Sequence, residues 1–123
     1  MNFIKSFLNS YEKVVNKLDK KKILLIITEL KKIKKKQGRV FFLGVGGSAG
    51  NSSHAVNDFR KLCLIESYSP TDNVSEFSAR VNDEGIETTF AEYLKVSNLN
   101  NKDCLFIFSV GGGDKKKKIS ENI

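Results

Sequence analysis

A chain of 123 residues, 40% of them hydrophobic, has room for one domain with a small core. Its formal charge of +7 comes mostly from lysine runs at Lys20–Lys22, Lys31–Lys36 and Lys115–Lys118. No aromatic residue interleaves with them, Trp is absent, and the arginines are only Arg39, Arg60 and Arg80. The balance therefore reads as solvated lysine faces able to attract an anionic metabolite, with no nucleic-acid partner.

The 2 cysteines, Cys63 and Cys104, sit among apolar residues and give no disulfide scaffold, so a reduced, cytoplasmic setting is expected. The N-terminus lacks the pattern of a secretion signal. The longest apolar run, Ile23–Ile27, is far too short to span a bilayer, and no membrane partner is expected.

Ile4, Phe7, Leu8, Tyr11, Val14, Val15 and Leu18 recur at three- and four-residue steps, which predicts an amphipathic helix. A second helix follows from about Asp19, with Ile23, Ile26, Ile27, Leu30 and Ile33 on its stripe and Gly38 as its stop. These helices form an N-terminal hairpin, residues 1–38, which can pack on a sheet or on another subunit.

From Val40 to His54 the chain reads as strand, glycine turn and helix. A short apolar run, Val40–Leu43, ends in a glycine-dense turn, Gly44–Gly50. Ala55, Val56, Phe59, Leu62 and Cys63 supply the expected buried face of the helix. Leu64–Ile65 is the candidate for a very short second strand. Val74, Phe77 and Val81 mark one or two helical turns, Asn82–Gly85 a turn, and Ile86–Ser97 a further amphipathic helix. Cys104–Phe108 is nearly all apolar, as a buried parallel strand should be. It ends in a second glycine turn, Ser109–Asp114, after which residues 115–123 look like the start of another helix. In an open α/β sheet ligands bind beyond the carboxyl ends of the strands, so the two glycine turns predict one shared site.

The first turn fits neither a dinucleotide fingerprint, since Ala49 stands where the third glycine is required, nor a phosphate-binding loop that needs Gly-Lys-Ser/Thr. What remains is a cradle for a phosphate or sugar, with Gly46 and Gly47 in the turn and Ser48 as its foremost side-chain ligand. His54, the only histidine, and Asp58 are four residues apart and share a helix face. They have the spacing of a metal-binding pair or of a base and its orienting partner; an exposed polar face with no chemistry accounts for them equally well. Ser109 is a further ligand candidate beside the first cradle. Asp72, Asn73, Asn82 and Asp83 are turn-forming types, Glu66 reads as a solvated acid, and Tyr68 either closes a pocket or faces solvent.

Gly44-Val45-Gly46-Gly47-Ser48 before a helix carrying His54, then Asn82-Asp83-x-Gly85, then Ser109 before a glycine turn, together resemble the sugar isomerase (SIS) superfamily, and within it the phosphoheptose isomerases. The resemblance covers Phe3–Ile123. It implies an α/β fold: the helical hairpin followed, over residues 39–123, by an incomplete parallel-sheet, flavodoxin-like three-layer sandwich. It implies isomerisation of sedoheptulose 7-phosphate to a heptose 7-phosphate in a homo-oligomer, dimer or tetramer. Ser48 and Ser109 then take phosphate or sugar, with Gly46, Gly47 and Gly111 as backbone donors. His54 and Asp58 are the catalytic residues or the ligands of a zinc ion, and Asn73 or Asp72 contacts substrate. Departures from the family pattern are Val45 where asparagine is usual, Asp58 where glutamate is usual, and Val110–Asp114 where three hydroxyl ligands are expected. Family members also continue with further sheet carrying a glutamine and a second histidine, which makes this chain the N-terminal portion of such an enzyme or a non-catalytic binding or interaction module.

Overall fold

The computed structural model describes residues 2–114, 116 and 117. The helical start expected over residues 115–123 falls outside them, apart from a turn at 116 and 117. The chain divides into two compact units, Met1–Lys31 and Lys32–Ile123. Among the described residues no helix is long and apolar enough to cross a membrane.

The first unit holds α1, Asn2–Asn16, and most of α2, Lys20–Lys35. Asp19 accepts the N–H groups of Lys21 and Lys22 at 2.9 and 3.2 Å, capping α2. Both helices form where the periodicity places them, and neither buries a residue. In the second unit α2 stops at Gln37, which takes the left-handed conformation (φ 54°), while the Gly38 N–H returns to the Ile33 carbonyl at 3.0 Å. The terminator is therefore Gln37. Gly38 is required for a different reason: a Cβ there would run into the Lys102 carbonyl.

A three-stranded parallel sheet in the order β2-β1-β3 forms the centre of this unit. The central strand β1, Val40–Leu43, is buried along its whole length, which is why it reads as an unbroken apolar run. The helix α3, Gly47–Asp58, follows and continues into a π-helical turn, Phe59–Cys63. That wider turn rotates the residues after it, so Leu62 is 70% exposed and Cys63 is exposed too, against the expectation that both are buried. Phe59 stays inside, its ring edge-on to Phe42 at 4.8 Å. Leu64 is left-handed (φ 54°) and the Ile65 N–H returns to the Phe59 carbonyl at 3.0 Å. This closing turn occupies the predicted strand, and β2 forms three residues later, at Ser67–Tyr68.

A 3₁₀ turn, Pro70–Asp72, leads into α4, Val74–Glu84. This helix is longer than its apolar spacing suggested, because Arg80 pairs with Glu76 and Glu84 one turn to either side. Gly85, at φ 90°, separates it from α5, Ile86–Val96, where Phe90 meets Phe77 at 5.9 Å. The last strand, β3, Cys104–Ile107, pairs with β1 from Val40↔Cys104 to Leu43↔Ile107. One of its faces is left uncovered among the described residues, so the full burial expected of it is replaced by alternation, with Leu105 and Ile107 exposed.

One polar cluster ties β1 to β3 at the start of both strands. Arg39 donates to Asp103 through its main-chain N–H at 2.9 Å and through Nε and Nη2 at 3.2 and 2.7 Å. It also donates to the carbonyls of Ser97 and Asn98. Asp103, its side chain 2% exposed, further accepts from the Asn100 main-chain and side-chain N–H groups. Hydrogen bonding from Arg39 is the main reason that the Asp103 carboxyl is held below its usual range. A depressed folded-state value stabilises the fold above about pH 4, the carboxyl's unfolded range, and that contribution is lost as pH falls through the folded value. Asp103→Asn should therefore cost about 2–3 kcal/mol at neutral pH, measured by chemical denaturation, and the gap to the parent chain should close as pH drops below about 4.

Candidate functional site

Parallel pairing brings the carboxyl ends of β1 and β3 side by side: Leu43 lies opposite Ile107, and the Phe108 N–H donates to the Leu43 carbonyl at 2.9 Å. The turns that leave these strands, one through Gly46, Gly47 and Ser48 and the other through Ser109 and Gly111, therefore start next to each other. Gly44 makes the first turn possible, since a Cβ there would meet the Ser48 carbonyl oxygen at 2.5 Å and its Cβ at 2.8 Å. Gly46 precedes α3 at φ 61° and no side chain caps the helix, so its N-terminal end presents the positive pole of the helix dipole with no side-chain acceptor on it. Ser52 is fully buried and donates to the Ser48 carbonyl at 3.0 Å, a packing role.

In the second turn the Ser109 hydroxyl accepts the Gly112 N–H at 3.0 Å, and Gly112 and Gly113 take positive φ angles. Asp114 accepts the N–H groups of Lys116 and Lys117 at 2.9 and 3.2 Å, so its carboxylate is engaged by the chain that follows.

On α3, His54 Nε2 lies 3.3 Å from Asp58 Oδ2, with the two side chains 77% and 41% exposed. Asp58 also accepts from the Asn57 amide at 3.2 Å. Structural zinc takes four protein ligands and catalytic zinc three, whereas no cluster of three His, Cys, Asp or Glu side chains occurs among the described residues. The pair alone does not fit a resident zinc ion.

The remaining predicted residues sit elsewhere. Asn73 caps α4, its side-chain oxygen accepting the Glu76 N–H at 3.2 Å. Asp72 and Asn73 both line a cleft of about 300 Å³ together with Arg60, Ser69, Tyr68 and Tyr93. The Tyr68 hydroxyl donates to Glu66 at 2.7 Å while its ring forms a wall, so both readings of Tyr68 hold in part. Arg60 belongs to none of the sequence motifs. The signal available was an arginine in a chain whose other basic residues are nearly all lysines. Burial raises the Tyr93 hydroxyl above its usual range, with Glu76 and Asp72 adding to the effect.

The close approach at Gly44 yields a direct check. Gly44→Ala should force α3 away from the end of β1 and lower stability by about 1–3 kcal/mol, read from the denaturation midpoint. An unchanged midpoint would mean that the first turn does not pack as described.

No family model matches the chain. It is 34% identical over 92 residues to the lincomycin biosynthesis protein LmbN of Streptomyces lincolnensis, a match over 70% of this chain and 33% of that protein. Its fold superposes on the phosphoheptose isomerase GmhA of Neisseria gonorrhoeae with a TM-score of 0.66 at 19% identity, covering 89% of this chain and 61% of that one. The chain thus spans a third of the length of the curated relative and about three fifths of the solved structure. This likeness shows the fold alone: the chain has the α/β architecture seen in part of that phosphoheptose isomerase.

Proposed function

We propose that the chain binds a phosphorylated sugar beyond the carboxyl ends of β1 and β3 and is the N-terminal portion of a phosphoheptose isomerase-like enzyme acting on sedoheptulose 7-phosphate. The observation that carries this reading is the juxtaposition of two glycine turns on neighbouring parallel strands, one of them opening into the uncapped end of α3. Phosphate there gains the helix dipole, main-chain donors from Gly46, Gly47 and Gly111, and the hydroxyls of Ser48 and Ser109. The likeness to a phosphoheptose isomerase supports the sugar as the rest of the ligand.

Aldose–ketose isomerisation takes a proton from the carbon beside the carbonyl and returns it at the neighbouring carbon, so it needs a base and an acid near each other. Asp58 is the base in this reading. His54, 3.3 Å away, orients that carboxylate and shares the proton. In such an enzyme the chain works as a homo-oligomer, dimer or tetramer. The exposed Phe7, Leu8 and Tyr11 on α1 and Leu24 and Leu25 on α2 support self-association.

A second reading has its own observation. His54 is largely exposed, and no third titratable group clusters with the pair among the described residues. This favours a non-catalytic sugar-phosphate-binding or protein-interaction module.

Incubation with sedoheptulose 7-phosphate separates the two. The enzyme reading expects heptose phosphate to form and Asp58→Asn to lower turnover at least ~100-fold, in line with loss of a general base. Binding without turnover in the parent chain would leave the module.

A further inference from the structure

The arginines of this chain differ in what holds them. Arg39 is locked to Asp103, and Arg80 to Glu76 and Glu84. Arg60 has no carboxylate partner among the described residues. It lies over the Tyr68 ring, 5.4 Å from the centroid, and donates from Nη1 to the Ser67 carbonyl at 3.2 Å. Those contacts fix the plane of the guanidinium without neutralising its charge. Nε and Nη2 are left without a described acceptor, and two such N–H groups side by side form the fork that matches an oxyanion.

The π-helical turn Phe59–Cys63 carries Arg60 into the cleft of about 300 Å³ that also holds Ser69, Asp72 and Tyr93. This cleft is not the sheet-end cradle. Val56, which lines it, is two residues from both His54 and Asp58, hence about 160° around the α3 axis from either. The cleft and the His54–Asp58 pair therefore open on opposite sides of one helix. Its chemistry is also mixed: a bare anion gains Arg60 but meets the charge of Asp72. A ligand that carries hydroxyls as well as an anionic group satisfies both, with hydroxyls donating to Asp72 and Ser69 and the oxyanion on Arg60.

We infer that the Arg60 cleft is a second binding site, for a small polyol bearing a phosphate or carboxylate group. A preset guanidinium loses little freedom on binding, and the cleft has the volume of a small-molecule site. The inference stands independently of the sheet-end site.

The test is NMR titration of the full chain with ribose 5-phosphate, gluconate, ribose and inorganic phosphate, following the Arg60 Nε–H and the main-chain amides of Ser69 and Asn73. Saturable shifts at these groups are expected with ribose 5-phosphate, with gluconate, or with both, and the pair shows which oxyanion is preferred. Binding by ribose and by inorganic phosphate should each be at least tenfold weaker. Arg60→Gln should abolish the shifts. Arg60→Lys, which keeps the charge but not the fork, should weaken binding about fivefold or more. Arg60 is exposed, so both variants should fold, which circular dichroism checks. The inference is overturned if no saturable shift occurs at these groups, if the shifts survive Arg60→Gln, or if inorganic phosphate binds as tightly as ribose 5-phosphate. Shifts confined to Gly46, Gly47 and Ser109 would overturn it while leaving the sheet-end reading intact.

Discussion

The bonds from Arg39 to Asp103 set the starting point of two strands at once. Arg39 directly precedes β1 and Asp103 directly precedes β3, so a side chain-to-side chain bridge between them holds the strands level at their amino ends. The main-chain bond from Cys104 N–H to the Arg39 carbonyl, 2.9 Å, continues that alignment, and the parallel ladder carries it to Leu43 and Ile107. A one-residue slip would separate the Arg39 guanidinium from Asp103, leaving a buried carboxylate without its partner. It would also carry Phe106 to the face where Leu105 and Ile107 are now exposed. The nearness of the two glycine turns at the far end thus follows from a polar contact at the near end.

Much of this fold is legible in the amino-acid sequence. The helical periods, the continuous apolar run of β1 and the strand–turn–helix punctuation all express local geometry, and α1, α2, β1, α3, α5 and β3 stand where those patterns put them. The departures share a cause: each depends on a contact distant in sequence or on an uncommon backbone state. β2 shifted because the π-helical turn ends through Leu64 in a left-handed conformation, which a leucine does not advertise. α4 outran its apolar spacing because charged pairs on its polar face extend it. β3 shows alternation because the face carrying Leu105 and Ile107 is left uncovered, a tertiary fact that no residue in Cys104–Ile107 encodes. The Arg39–Asp103 bridge, 64 positions apart in sequence, left no local trace.

The candidate residues divide along similar lines. Glycine turns are readable because their conformational demands are local, and the structure sets the two turns beside each other as the parallel order requires. Asn73 and Asp72, adjacent in sequence, both border the cleft that holds Arg60, and Asn73 also caps α4. Residue type alone does not separate those fates, since asparagine and aspartate suit caps, turns and ligands alike. His54 and Asp58 share a face, as their spacing requires, but the exposure of that face is a tertiary property. The fold itself hosts chemistry at strand ends in many α/β proteins, so the specific reading rests on the turns and on α3.

The most direct measurement is a crystal structure of the chain grown with sedoheptulose 7-phosphate. The account predicts phosphate density beyond the carboxyl ends of β1 and β3, within hydrogen-bond distance of the Gly46 and Gly47 N–H groups on one side and the turn from Ser109 to Gly111 on the other. Crystals at saturating ligand with that position empty, or with the phosphate elsewhere on the chain, would contradict it.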